Sequence, residues 1–181
     1  SFGLDVKCFF GTILSVLRSD GVVEGGTGEM KRRGKYGNKA PVMLSSSIQA
    51  SLTGRFAGSE YGKSKLAGEE LFQKYSEETG AKVLIYRFPN LFGKWCRPNY
   101  NSAVATFSNN IANDLPITVN DRSTELELLY IDDLIEEMIL ALNGEEHRDE
   151  QGFCICPVTF HVTLGEIVDL LYQFKESRND L

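Results

Sequence analysis

The sequence predicts an α/β fold, a partial parallel sheet flanked by helices, on three observations. From Pro41 onward, strand-like apolar runs alternate with helical periodicities. The run Lys82 to Phe88 (KVLIYRF) is apolar along almost its whole length, as a strand covered on both faces must be. Helix-stopping glycines and a Thr-x-x-Glu start signal punctuate the helical stretches. The 181 residues, 42% hydrophobic and 24% charged, suffice for one globular domain.

Residues 1–39 form an atypical glycine-rich segment, and residues 40–181 carry the α/β pattern. Phe2 to Leu17 suits either a helix or a strand. Gly21 to Gly37 then places six glycines around Lys31-Arg32-Arg33 and reads as a linker. Gly25-Gly26-Thr27-Gly28 invites a phosphate-loop reading, but a GxGxxG pattern starting at Gly26 needs a glycine where Lys31 stands.

Val42-Met43-Leu44 is a short buried strand that runs into Ser45-Ser46-Ser47. Tyr61 to Thr79 is a helix, with Leu66, Leu71, Phe72 and Tyr75 as its apolar stripe and Glu69, Glu70, Lys74, Glu77 and Glu78 on the wet side. Gly80 stops it. After the KVLIYRF strand, Pro89 to Asn101 reads as a loop, Ser102 to Ala112 as a helix, and Ile117 to Val119 and Glu125 to Tyr130 as strands. Asp132 or Asp133 is placed to cap a helix ending at Asn143-Gly144, and Gly152 to Val158 reads as the last strand. Thr163-Leu-Gly-Glu166 is a capping box for a final helix whose Leu164, Ile167, Val168, Leu171 and Phe174 face inward.

Composition excludes several function classes. A net charge of −6 argues against nucleic acid as the main partner, since phosphate backbones reward clustered Lys and Arg. No apolar run approaches the ~20 residues of a membrane span, and the N-terminus lacks a signal pattern, so no membrane association and a cytoplasmic location are expected. Cys8, Cys96, Cys154 and Cys156 have no CxxC spacing, and His147 and His161 are the only histidines, so reduced structural thiols and no metal site are expected.

The chemistry lies between Val42 and Lys65. On a helix, Tyr61 and Lys65 at i and i+4 share a face, and a nearby ammonium favours a phenolate, moving the phenol from about 10 towards working pH. The serines sit at the C-terminal end of a strand, the edge where open α/β sheets bind ligands, and a hydroxyl there can donate to a substrate oxygen. Together these groups can move a proton on or off an alcohol or sugar oxygen.

The ordered segments LSSSIQ, EYGKSKLAGEELF, VLIYRFPNLFG and YIDDLIEEM resemble the extended short-chain dehydrogenase/reductase family of sugar-nucleotide epimerases, dehydratases and reductases. Within it, YRFPNLFGKWCRPNYNS and VTLGEIVDLLYQFKESR resemble enzymes of capsular polysaccharide synthesis, over about residues 40–178. The resemblance implies a Rossmann-like domain with Ser47, Tyr61 and Lys65 catalytic, and Tyr61, Lys65, Phe88 and Pro89 against an NAD or NADP cofactor. It implies Ser47, Gln49, Asn90, Lys94, Asn101 and Arg122 as contacts to a nucleotide-sugar substrate. Leu126 stands where many members carry an arginine, and Arg122 is the expected substitute. Tyr130 to Asp133 matches the Tyr-Val-x-Asp segment, which is structural in the family.

The resemblance further implies reduction of a nucleotide-activated 4-keto-6-deoxy amino sugar for surface polysaccharide, with pairing of two copies through the Tyr/Lys helix. A 4-epimerase or dehydratase using the same residues, and a non-catalytic fragment or assembly module, remain open alternatives. The family's opening glycine-rich turn and the C-terminal cupin domain of its capsular members have no counterpart in these residues, so the chain reads as the C-terminal part of such a reductase domain.

Overall fold

The computed structural model describes residues 41–180, which divide into two compact units. The glycine-rich segment, Gly25 to Gly28 and Cys8 lie outside the described residues.

The first unit comprises the described residues up to Arg87 together with Glu150–Cys154. Strands β1 (Val42–Ser47) and β2 (Val83–Phe88) pair, and the pairing starts where Val42 N donates to Lys82 O at 2.9 Å. Strand β1 thus runs through all three serines rather than stopping at Leu44. Helix α1 (Glu60–Thr79) supplies Phe72 and Leu71 to a core with Leu44, Ile85, Val42, Val83 and Phe153. It starts at Ser59, whose Oγ accepts from Gly62 N at 2.9 Å, and stops at Gly80, where φ of 68° is the left-handed conformation that glycine adopts without cost.

Two expectations fail in this unit. Of Gly152 to Val158, only Cys154 enters a ladder: it bridges Tyr86 in parallel and donates to Ile85 O at 2.8 Å. A little further on, Pro157 has no N–H to continue a ladder. Glu69, assigned to the wet face of α1, is 1% exposed.

The second unit comprises Phe88–Asp149 and the described residues from Ile155 onward. Its sheet is mixed. Strand β4 (Glu125–Tyr130) is central, β3 (Asn90–Phe92) pairs with it in parallel, and β5 (Phe160–Thr163) antiparallel. Helices α2 (Ala103–Ala112) and α4 (Leu164–Glu176) bury Phe107, Ile111, Ile167 and Val168 against Leu128. Helix α3 (Ile131–Asn143) follows β4 directly and ends at Gly144, φ 85°. The capping box of α4 is complete: Glu166 N donates to Thr163 Oγ1, and Thr163 N donates to Glu166 Oε2 at 2.7 Å.

The loop expected over Pro89 to Asn101 contains β3, and the last strand is β5 rather than Gly152 to Val158. Ile117 to Val119 forms no strand, although Ile117 and Val119 still pack on the core. Tyr130 is the N-cap of α3, with no side-chain capping bond. Asp132 and Asp133 lie inside its first turn, where the positive end of the helix favours carboxylates. Phe174 is 65% exposed rather than inward. No helix of the described residues is long and apolar enough to cross a membrane.

Candidate active site

The residues expected to transfer the proton all belong to the first unit. Each of the three serines at the end of β1 is engaged differently. Ser45 presents its backbone carbonyl to Lys65 Nζ at 3.1 Å. Ser46 Oγ donates to Glu69 Oε1 at 2.5 Å in a buried setting. Ser47 Oγ accepts from Gln49 N at 3.3 Å as the cap of a 3-10 turn, Ile48–Ser51, so its own proton remains to be donated. Of the three, Ser46 is therefore the one whose hydroxyl is taken up by an acceptor, while Ser47 keeps its O–H at the turn on which α1 docks.

Tyr61 and Lys65 are brought to this strand end by a close approach. A Cβ on Gly62 would lie 2.2 Å from the backbone oxygen of Gln49, so only glycine lets α1 dock on the turn after Ser47. Gln49 Oε1 accepts from Ser59 Oγ at 2.7 Å, tying the same turn to the start of α1. Lys65 Nζ lies 5.5 Å from the centre of the Tyr61 ring.

Tyr61 is 41% exposed, and its phenol is displaced upward, not downward as the i, i+4 ammonium suggested. Partial burial disfavours the phenolate, and the same burial pushes Lys65 below the ordinary lysine value. Burial thus opposes ionisation of the phenol rather than assisting it.

The donor set fits a nicotinamide riboside. An ammonium already oriented by a backbone carbonyl, with a phenol one turn away, matches a ribose hydroxyl pair and a substrate oxygen.

The remaining predicted residues belong to the second unit. Phe88 is 8% exposed and Pro89 half-buried. Asn90, on β3, donates from Nδ2 to Glu127 O at 3.1 Å. Gly93, at φ 127°, lets the backbone pass so close to Tyr130 that a Cβ would meet its ring at 2.7 Å, which gives the glycine of PNLFG a steric reason. Lys94 pairs with Asp132 at 2.5 Å, which raises the lysine above its ordinary value. Asn101 is exposed just before α2, whose N-cap is Ser102. Arg122 reaches both carboxylate oxygens of Asp169 at 2.7 Å and Gly165 O at 3.2 Å, so it braces α4.

Sequence reasoning missed Glu69, which accepts from Arg87 Nη2 at 2.7 Å and Nε at 3.0 Å besides Ser46. It also missed the steric role of Gly62. The signal for Glu69 was present: Tyr61, Lys65 and Glu69 recur at intervals of four, one face of a helix.

The chain is 42% identical over 145 residues to UDP-2-acetamido-2,6-beta-L-arabino-hexul-4-ose reductase of Pseudomonas aeruginosa, covering 80% of this chain and 37% of that protein. The crystal structure of the capsular polysaccharide assembling protein CapF from Staphylococcus aureus superposes with a TM-score of 0.74 at 44% identity, over 93% of this chain and 48% of that one. Thermus thermophilus UDP-glucose 4-epimerase in complex with NAD shares the fold, at TM-score 0.62 and 20% identity, over 78% of this chain and 50% of that one. The chain thus spans half or less of the length of these relatives. The model of the NAD dependent epimerase/dehydratase family matches residues 13–155. That span takes in residues 13–39, where the sequence alone suggested no resemblance, and the chain belongs to the NAD dependent epimerase/dehydratase family.

Proposed function

We propose that this chain is part of a reductase of a nucleotide-activated 4-keto-6-deoxy amino sugar, serving surface polysaccharide synthesis. The observation that carries the reading is the docking of the Tyr61 and Lys65 helix on the strand end that bears Ser47, taken with 42% identity to a UDP-sugar 4-ketose reductase. Reduction needs an acid at the ketone oxygen, and a phenol displaced upward enters the cycle loaded with its proton.

In this reading Ser47 donates a hydrogen bond to the ketone oxygen and steadies the charge that develops there. Tyr61 passes its phenolic proton to that oxygen, and solvent restores the proton afterwards. Lys65, held by Ser45 O, carries a positive charge near the phenol and offers donors to the ribose of the cofactor. NADH or NADPH held at Lys65 would supply the hydride for the ketone carbon, being oxidised in the exchange. Gln49, Phe88, Pro89, Asn90, Lys94, Asn101 and Arg122 are assigned to cofactor and sugar-nucleotide contacts on the resemblance. A homodimer and a cytoplasmic location belong to the same proposal.

The test is the full-length protein incubated with NADH or NADPH and a UDP-4-keto-6-deoxy amino sugar. One dinucleotide oxidised per 4-hydroxy product supports the reading. Interconversion of 4-epimers with no net oxidation of dinucleotide overturns it in favour of an epimerase.

A further inference from the structure

Tyr61, Lys65 and Glu69 form one row along α1, and two of the three reach the serine strand: Lys65 Nζ to Ser45 O, and Glu69 to Ser46 Oγ. Glu69 is 1% exposed, and a carboxylate so buried is costly unless fully partnered. Its partners come from two other elements. Ser46 Oγ approaches from β1 at 2.5 Å, and Arg87 from β2 forms a bidentate pair whose guanidinium also lies 3.6 Å over the Phe153 ring. An apolar residue in this place could stabilise the fold as well or better. Buried ion pairs add little net stability, and in some proteins their role is instead to fix one packing register.

We propose that Glu69 is a positioning residue for the proton-transfer site. It holds the helix of Tyr61 and Lys65 in one register against the serine strand and, by taking the hydroxyl of Ser46, removes that serine from substrate contact, leaving the role to Ser47 beside the turn on which α1 docks. This rests on the assignment of Ser47, Tyr61 and Lys65 given above. A slip of α1 along β1 would carry Tyr61 away from Ser47, and misplacement by about 1 Å is enough to cost about 100-fold in rate.

The experiment compares Glu69→Gln, Ser46→Ala, Ser46→Thr and Ser47→Ala in the full-length protein, reading kcat, KM for the dinucleotide and Tm. Glu69→Gln is expected to lower kcat about 10- to 100-fold with KM for the dinucleotide within about twofold. Ser46→Ala, which keeps the Arg87 pair and the fold, is expected to lose about fivefold in kcat, and Ser46→Thr, which restores the hydroxyl, to regain it. If Glu69→Gln does not fold, the Ser46 pair decides alone. Wild-type kcat in Glu69→Gln and Ser46→Ala, with only Tm reduced, makes Glu69 purely structural and overturns the proposal. Ser47→Ala separates the two levels. If it loses turnover while the other two do not, only the positioning role falls, and if it too keeps full turnover, the site assignment itself has failed.

Discussion

The two units hold their family-matched residues in contrasting ways. In the first, the strand of Ser45 to Ser47 and the helix of Tyr61 and Lys65 are joined by a glycine contact, a buried Ser46–Glu69 hydrogen bond and a lysine-to-carbonyl bond. In the second, Lys94, Asn101 and Arg122 are exposed, and the two cations are paired with Asp132 and Asp169 at the surface. Surface pairs of that kind contribute about 0–1 kcal/mol and exchange partners readily. The contrast teaches that the placement of Tyr61 and Lys65 against the serine strand is fixed by packing, whereas Lys94 and Arg122 are held only by exposed ion pairs and, for Arg122, a backbone carbonyl.

Gly62→Ala is the largest blow to that contrast. The new Cβ must displace α1 from the turn after Ser47, with an expected loss of about 1–3 kcal/mol in stability and about 100-fold in kcat. Circular-dichroism melts and steady-state kinetics on the full-length protein check both, and a variant with unchanged kcat would show that the close approach does not position the site.

A smaller effect is expected from Thr163→Ala in the second unit. Losing the cap of α4 is expected to cost about 1 kcal/mol while leaving kcat within about twofold, because the capping box touches none of the proton-transfer residues. Its pH dependence sharpens the test. The Thr163 backbone N–H, and then its hydroxyl, hold the Glu166 carboxyl below its ordinary value. A depressed folded value means stability that is present above the unfolded value of about 4.3 and lost as pH falls through the folded one. Urea melts from pH 7 down to pH 3 should therefore show a wild-type advantage over Thr163→Ala that shrinks with acid.

Much of this was legible in the sequence, and the failures share one cause. The α1 helix, its Gly80 stop and the Thr163 capping box are local patterns, carried by residues three or four apart, and they appear in place. Glu69 looked solvent-facing because the partners that make its burial tolerable, Ser46 and Arg87, lie 23 and 18 residues away. Strand β3 is three residues long and hidden among Pro89, Asn90 and Gly93, and its existence depends on pairing with β4. Between Gly152 and Thr163 the chain offers two apolar stretches, and only the one that finds a long partner in β4 becomes a strand. The upward displacement of the Tyr61 phenol was equally invisible, since spacing gives the neighbouring charge but not the burial that opposes it.

The central claim is that Tyr61 delivers the proton that completes ketone reduction, and Tyr61→Phe in the full-length protein tests it most directly. The ring and its packing remain, and only the hydroxyl is lost. The account predicts that kcat for dinucleotide oxidation falls at least about 100-fold while Tm and dinucleotide affinity hold. It predicts also that wild-type turnover persists through neutral pH and declines only on the alkaline side, as the phenol loses its proton. Turnover by Tyr61→Phe within a few-fold of wild type would contradict it.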